Sequence, residues 1–247
     1  MLVLLPVLLA GCGSATALQQ RVAAPITVHS YGRGAQRTWV FAPATRPKLV
    51  VLFVHGLGNV KETTPYYHRP WLEHLASEGY EAVYPAYEKF PFQPSAMKHM
   101  LQGLAVALPH VAHGVPVAAI GYSRGGRLVA DYASVSSVAG LVPGRIVSVF
   151  PAGNMDPLMN LAPLSGHTKI LILAGDRDTT VGTIGASQLV TQLAASGFPY
   201  KDVRFEGVHS SGTFVADHLS VLRDTPAARR AYWARTDRFL APLAAQG

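Results

Sequence analysis

Short apolar runs alternate along this chain with longer stretches whose apolar positions recur at helical spacing. Period-2 or continuous apolar runs predict strands over 37–41, 49–54, 80–84, 115–120, 145–150, 169–173 and 202–205. Helical spacing predicts helices over 71–78, 95–111, 127–133, 184–195 and 227–243, the first of them stopping at Gly79. Turn residues from Pro43 to Pro47 separate the first two strands, and Gly32-Arg33-Gly34 marks a turn before them. Strands that alternate with helices imply an α/β architecture: a mostly parallel sheet with helices on both faces. The chain shows no internal repeat, and its 247 residues suit one such domain.

Composition adds to this picture in two places. Apolar residues make up 49% of the chain and charged residues 14%, so a large buried core is expected. The formal charge of +7 is diffuse and densest at Arg229, Arg230, Arg235 and Arg238 on the last helix. No basic patch is joined to a recognition motif, so no nucleic-acid partner is expected. The charge reads either as a mild attraction to anionic envelope surfaces or as an ordinary solvated face. Cys12 is the single cysteine, which excludes an intrachain disulfide.

The apolar run 2–10 is too short to span a bilayer and ends in Leu9-Ala10-Gly11-Cys12. That ending resembles a bacterial lipobox, although no Lys or Arg precedes the run. The resemblance implies a signal peptide over 1–11 and palmitate-type acylation at Cys12. A flexible tether would then span 12–25, with the folded domain over 26–247. It further implies export to the bacterial cell envelope and attachment to a membrane by the lipid. An ordinary secretory peptide is the alternative.

Candidate chemistry centres on Gly121-Tyr122-Ser123-Arg124-Gly125, set between the apolar run ending at Ile120 and the helical pattern from Arg127. A Gly-x-Ser-x-Gly between strand and helix is the sequence form of a nucleophile elbow, which lifts the serine above the sheet. A serine hydroxyl needs a base, and the base an orienting carboxylate. On these residues and their order the chain resembles the α/β-hydrolases over 26–243. It is most similar to the compact esterases of the dienelactone-hydrolase and chlorophyllase type.

The resemblance assigns Ser123 as nucleophile. It places the acid after the strand 169–173, in Gly175-Asp176-Arg177-Asp178-Thr179-Thr180-Val181, at Asp178, with Asp176 as the competitor and a turn-capping role more natural for the latter. It places the base after the last strand at His209, with His218 as its rival and a helical packing residue by pattern. Val54-His55-Gly56-Leu57-Gly58 resembles the family's oxyanion loop. Backbone N–H groups of Leu57 and Arg124 would then hold the oxyanion, with His55 bracing the loop. Only 18 residues separate Phe150 from Lys169, too few for a cap domain, which implies an open site partly covered by the loop 59–70. The side chains of Arg124 and Arg127 read as solvated or locally paired. Tyr66, Tyr67 and Trp71 either line the entrance or staple a helix to the sheet. His110 and His113 lack a third ligand, so no metal and no organic cofactor is expected.

The implied activity is hydrolysis of a carboxylic ester, on a small-molecule or lipid-like substrate, by a carboxylesterase- or lipase-like serine hydrolase. Thioester, peptide or acyl-transfer chemistry on the same site stays open, as does a catalytically silent binding lipoprotein.

Overall fold

The structure is a computed structural model that describes residues 25–57, 61, 63–88, 95–153, 159–164 and 166–247. The signal peptide, Cys12 and nearly all of the tether expected from the sequence lie outside these residues. Eight strands form one sheet: β1 (Thr27–Tyr31), β2 (Thr38–Ala42), β3 (Leu49–Val54), β4 (Tyr80–Pro85), β5 (Val117–Tyr122), β6 (Arg145–Val149), β7 (Lys169–Gly175) and β8 (Val203–Val208). Their order across the sheet is β1-β2-β4-β3-β5-β6-β7-β8. The β1–β2 and β2–β4 pairs are antiparallel, and every pair from β4 to β8 is parallel.

Period-2 alternation explains how the sheet divides two cores. In β3, Leu49, Val51 and Phe53 point to one face, and Val50, Leu52 and Val54 to the other. The first face packs on α1 (Arg69–Ser77) and on the C-terminal helical segment. The second packs on α2 (Ala96–Ala107), α3 (Arg124–Ala139) and α4 (Ile184–Ala195). All six residues of β3 and all six of β4 are buried, as expected of parallel strands covered on both sides.

Two expected helices are interrupted. The span 95–111 ends as α2 at Ala107, and Pro109 turns the chain into a 3₁₀ turn over Leu108–His110. The span 227–243 comprises α5 (Pro226–Ala228), a π-helical turn (Arg229–Trp233) and α6 (Ala234–Ala244). The elbow helix α3 is longer than its pattern showed and ends at Gly140, whose φ of +88° makes it a left-handed C-cap. Strand β1 was missed because four of its five residues are exposed and carry no apolar periodicity.

Candidate active site

Ser123 follows β5 directly and precedes the first residue of α3, with φ 56° and ψ −121°. Such a conformation costs a non-glycine residue roughly 1–3 kcal/mol and persists only where the surroundings impose it. Here the Ser123 N–H donates to the Val149 carbonyl at 2.9 Å, and its own carbonyl accepts from Ala152 N–H at 2.9 Å. Both elbow glycines are required by contact. A Cβ at Gly121 would lie 2.1 Å from the Gly125 carbonyl oxygen, and one at Gly125 would lie 2.1 Å from that of Val54. Tyr87 and Phe150 also hold positive φ. They lie just past β4 and β6, so with Ser123 they concentrate backbone strain at the carboxyl ends of the central strands.

The imidazole that reaches this serine belongs to His218. Its Nε2 lies 3.0 Å from Ser123 Oγ, and its Nδ1 lies 2.9 Å from Asp178 Oδ2. Asp178 is held in turn by the N–H groups of Thr180 and Val181, which donate to Oδ1 at 2.8 and 3.1 Å. Ser123, Asp178 and His218 are each 8% exposed, so the hydrogen-bonded chain is largely screened from bulk water. The structure thus brings Ser123 and Asp178 together through the imidazole of His218.

The expectation for His209 is corrected. Its side chain is 80% exposed and its Nδ1 lies 3.7 Å from Asp176 Oδ2, away from Ser123. Geometry across the sheet gives the reason: β8 is an edge strand, three strand spacings or about 14 Å from β5. A residue directly after β8 cannot span that distance. The loop beyond Val208 instead folds back through the Ser211–Phe214 bridge and a turn, and delivers His218. Asp176 plays the turn-capping role: it accepts from Ser210 Oγ at 2.6 Å and from Ser210 N–H at 3.0 Å. These bonds, the hydroxyl's first, hold its carboxyl below the usual range and tie the β7 loop to the β8 loop.

Tyr122, the residue before the nucleophile, fastens this returning loop. Its hydroxyl donates to the His218 carbonyl at 3.0 Å, and its ring packs 5.1 Å from the imidazole. Phe150 closes the imidazole's surroundings at 5.6 Å. The loop after β3 also abuts the elbow, since a Cβ on Gly56 would lie 3.1 Å from Ser123 Cβ. Leu57, which follows, is half-buried. Arg124 heads α3, at the position where a helix turns its amide donors away from its own ladder.

His55 braces the loop, as expected. Its Nδ1 lies 2.6 Å from the Gly56 carbonyl and its Nε2 2.7 Å from that of Ala86. Burial holds its pKa down at about 4, against the pull of the two carbonyls, which raise it. His68 is buried among Phe53, Tyr84 and Tyr122 with its Nε2 unbonded, and burial lowers it to about 3.

Arg124 and Arg127 are both buried, which settles local pairing over solvation. Arg124 pairs with Glu88, and Arg127 with Asp131 at 3.0 Å. Glu88 carried no motif in the sequence; only its buried arginine partner identifies it. Trp71 is 2% exposed and stacks near Trp233, so it staples α1 to the C-terminal segment, whereas Tyr66 is 60% exposed. His110 stacks on Tyr31. Among the described residues between β6 and β7 no helix occurs, and no cap domain is present there.

No family model and no curated protein matches the sequence. Solved structures do. Carboxyl esterase 2 from the fungus Tuber melanosporum superposes with a TM-score of 0.65 at 16% identity, covering 93% of this chain and 90% of its own. Esterase B from Lactobacillus rhamnosis gives 0.63 at 16%, covering 92% and 88%. A Klebsiella pneumoniae protein assigned as a dienelactone hydrolase gives 0.57 at 17%, covering 88% and 99%. At such identities the likeness shows the fold: the chain has the three-layer α/β-hydrolase fold.

Proposed function

We propose that the protein is a serine hydrolase that cleaves carboxylic esters through an acyl-enzyme. The observation that carries this reading is the continuous chain Asp178–His218–Ser123, with bonds of 2.9 and 3.0 Å, at a strained elbow. His218 Nε2 takes the proton as Ser123 Oγ attacks the ester carbonyl. Asp178 holds the Nδ1–H and stabilises the imidazolium. The backbone N–H groups of Leu57 and Arg124 receive the oxyanion, a role supported by the contact of the Gly56 backbone with Ser123. The alcohol leaves with the proton from His218, and a water activated by the same imidazole releases the acid. Protein groups alone carry each proton in this scheme. Structural neighbours that are esterases support an ester as substrate.

The Leu9-Ala10-Gly11-Cys12 sequence supports a second part of the reading: acylation of Cys12, which anchors the domain to a membrane of a bacterial envelope. Mass spectrometry of the mature protein tests this, and an unacylated chain from native membranes would overturn it. For the catalytic part, wild-type protein is expected to hydrolyse p-nitrophenyl esters and to be labelled by a fluorophosphonate. Ser123→Ala is expected to lose both with an unchanged circular dichroism spectrum. Turnover surviving in Ser123→Ala would refute the mechanism.

A further inference from the structure

Five cations line one hollow between α6 and the β6–β8 edge of the sheet, which runs from Arg145 and Lys169 at the end opposite Ser123 to the level of Glu206, the register partner of Leu173. Arg145 and Lys169 are the first residues of β6 and β7 and are direct register partners. Arg204 is the register partner of Leu171 one strand further on. Alternation puts all three on the face covered by α6, from which Arg235 and Arg238 complete a cavity of about 220 Å³.

One carboxylate serves the group. Glu206 pairs with Arg204 and, at 3.3 Å, with Arg235. The side chains of Lys169 and Arg238 are exposed and make no hydrogen bond or ion pair among the described residues. Like charges set opposite each other across a strand pair are destabilising unless something neutralises them. Phe239 forms an apolar wall, with the Arg145 guanidinium 5.6 Å from its ring centroid.

The placement of the hollow is set by the ladders. Val28, Phe41, Ala82, Val51, Ala118, Arg145 and Lys169 form one continuous row of paired residues across the sheet. The chain thus begins β1 at the same pole as Arg145 and Lys169, the outer end of the hollow. Ser123 lies five residues beyond Ala118, about 17 Å away at the other pole.

We propose that this hollow binds the phosphate of an anionic phospholipid headgroup, so that the domain sits on a membrane surface with Ser123 facing away from it. The orientation rests on the reading of Cys12 as an anchor: residues 13–26 give at most about 50 Å of extended chain between it and Thr27. The binding chemistry rests on the five cations alone.

The experiment is sedimentation of the full chain, carrying Cys12→Ser to prevent acylation, on two kinds of vesicle. One is phosphatidylcholine; the other contains about one third phosphatidylglycerol. The apolar leader contributes equally to both, so the readout is the ratio of the two affinities. A basic residue near an anionic surface contributes about fivefold. Lys169→Gln/Arg238→Gln is therefore expected to lower the ratio roughly 25-fold without altering hydrolysis of a soluble ester. Arg69→Gln/Arg177→Gln removes the same charge from the catalytic pole and is expected to change the ratio less than about twofold. Equal losses in the two double variants, or no preference for anionic vesicles, would overturn the proposal. Saturation of the hollow by inorganic phosphate without a vesicle preference would reassign it to a free ligand and overturn the membrane part. Vesicle preference without any ester hydrolysis would refute the hydrolase reading and leave the hollow standing.

Discussion

Replacing Tyr122 by phenylalanine removes a single oxygen, the one that donates to the His218 carbonyl at 3.0 Å. The ring is 2% exposed, so water does not readily take its place, and the carbonyl loses a buried donor. Leaving such a group unsatisfied costs about 1–3 kcal/mol of stability. The same bond fixes where the loop sets the imidazole, and a displacement of about 1 Å in a reacting group costs on the order of 100-fold in rate. We expect kcat to fall by roughly 10- to 100-fold with KM little changed. Tyr132→Phe is the matched control: its hydroxyl donates to the Leu141 carbonyl, also buried and also at 3.0 Å, but at the far end of α3. Both variants should shift the urea midpoint by similar amounts, and only Tyr122→Phe should slow ester hydrolysis. Equal stability losses with equal, undiminished kcat would show that Tyr122 does not position His218.

Exchange of the two rival histidines gives a sharp contrast: His218→Ala is expected to lower kcat at least about 1,000-fold. His209→Ala should stay within about twofold, since its side chain is 80% exposed. Gly125→Ala forces a Cβ to 2.1 Å from a carbonyl oxygen and should cost more than about 4 kcal/mol, read as loss of the cooperative unfolding transition. Gly166→Ala, with nothing within 4 Å of the added carbon, should be neutral in the same assay. Acid should weaken the fold. His55 and His68 titrate at about 4 and about 3 when folded, against 6.5 when unfolded, so below pH 6.5 the unfolded chain binds more protons. Stability is expected to fall by up to roughly 2.7 kcal/mol per pH unit between about pH 6 and 4. His68→Phe, which removes one of the two groups, should roughly halve that slope in urea midpoints measured across the range.

The sequence was most legible where burial is two-sided. Strands β3 to β7 are dominated by apolar residues because helices cover both faces, and the elbow is legible because Gly121 and Gly125 tolerate no side chain. Legibility failed at the edges. Strand β1 is largely exposed and has no strong pattern, and β8, which carries Arg204 and Phe205 outward, was legible only as far as Phe205. The misassigned base has the same origin. Its position depends on how far β8 lies from β5, a property of sheet order that no local pattern near His209 or His218 encodes. The helical pattern around His218 was a coincidence of spacing in a turn that leads into the 3₁₀ segment Ser220–Leu222. Glu88 and the hollow at Arg145 and Lys169 are assembled from residues distant in sequence, and so were invisible to motif reading.

The bonds of the site join residues 95 and 40 positions apart, and the donor of the imidazole comes from the loop after the last strand. Ser123 is therefore made long before the imidazole that reaches it. A chain still emerging from the ribosome, or one truncated before residue 209, holds the elbow sequence but no His218 to take its proton. Contacts of such separation form only when the sheet closes through β8. Under the proposed mechanism latency is a consequence of topology: the polypeptide is expected to stay chemically inert until its final fifth has folded.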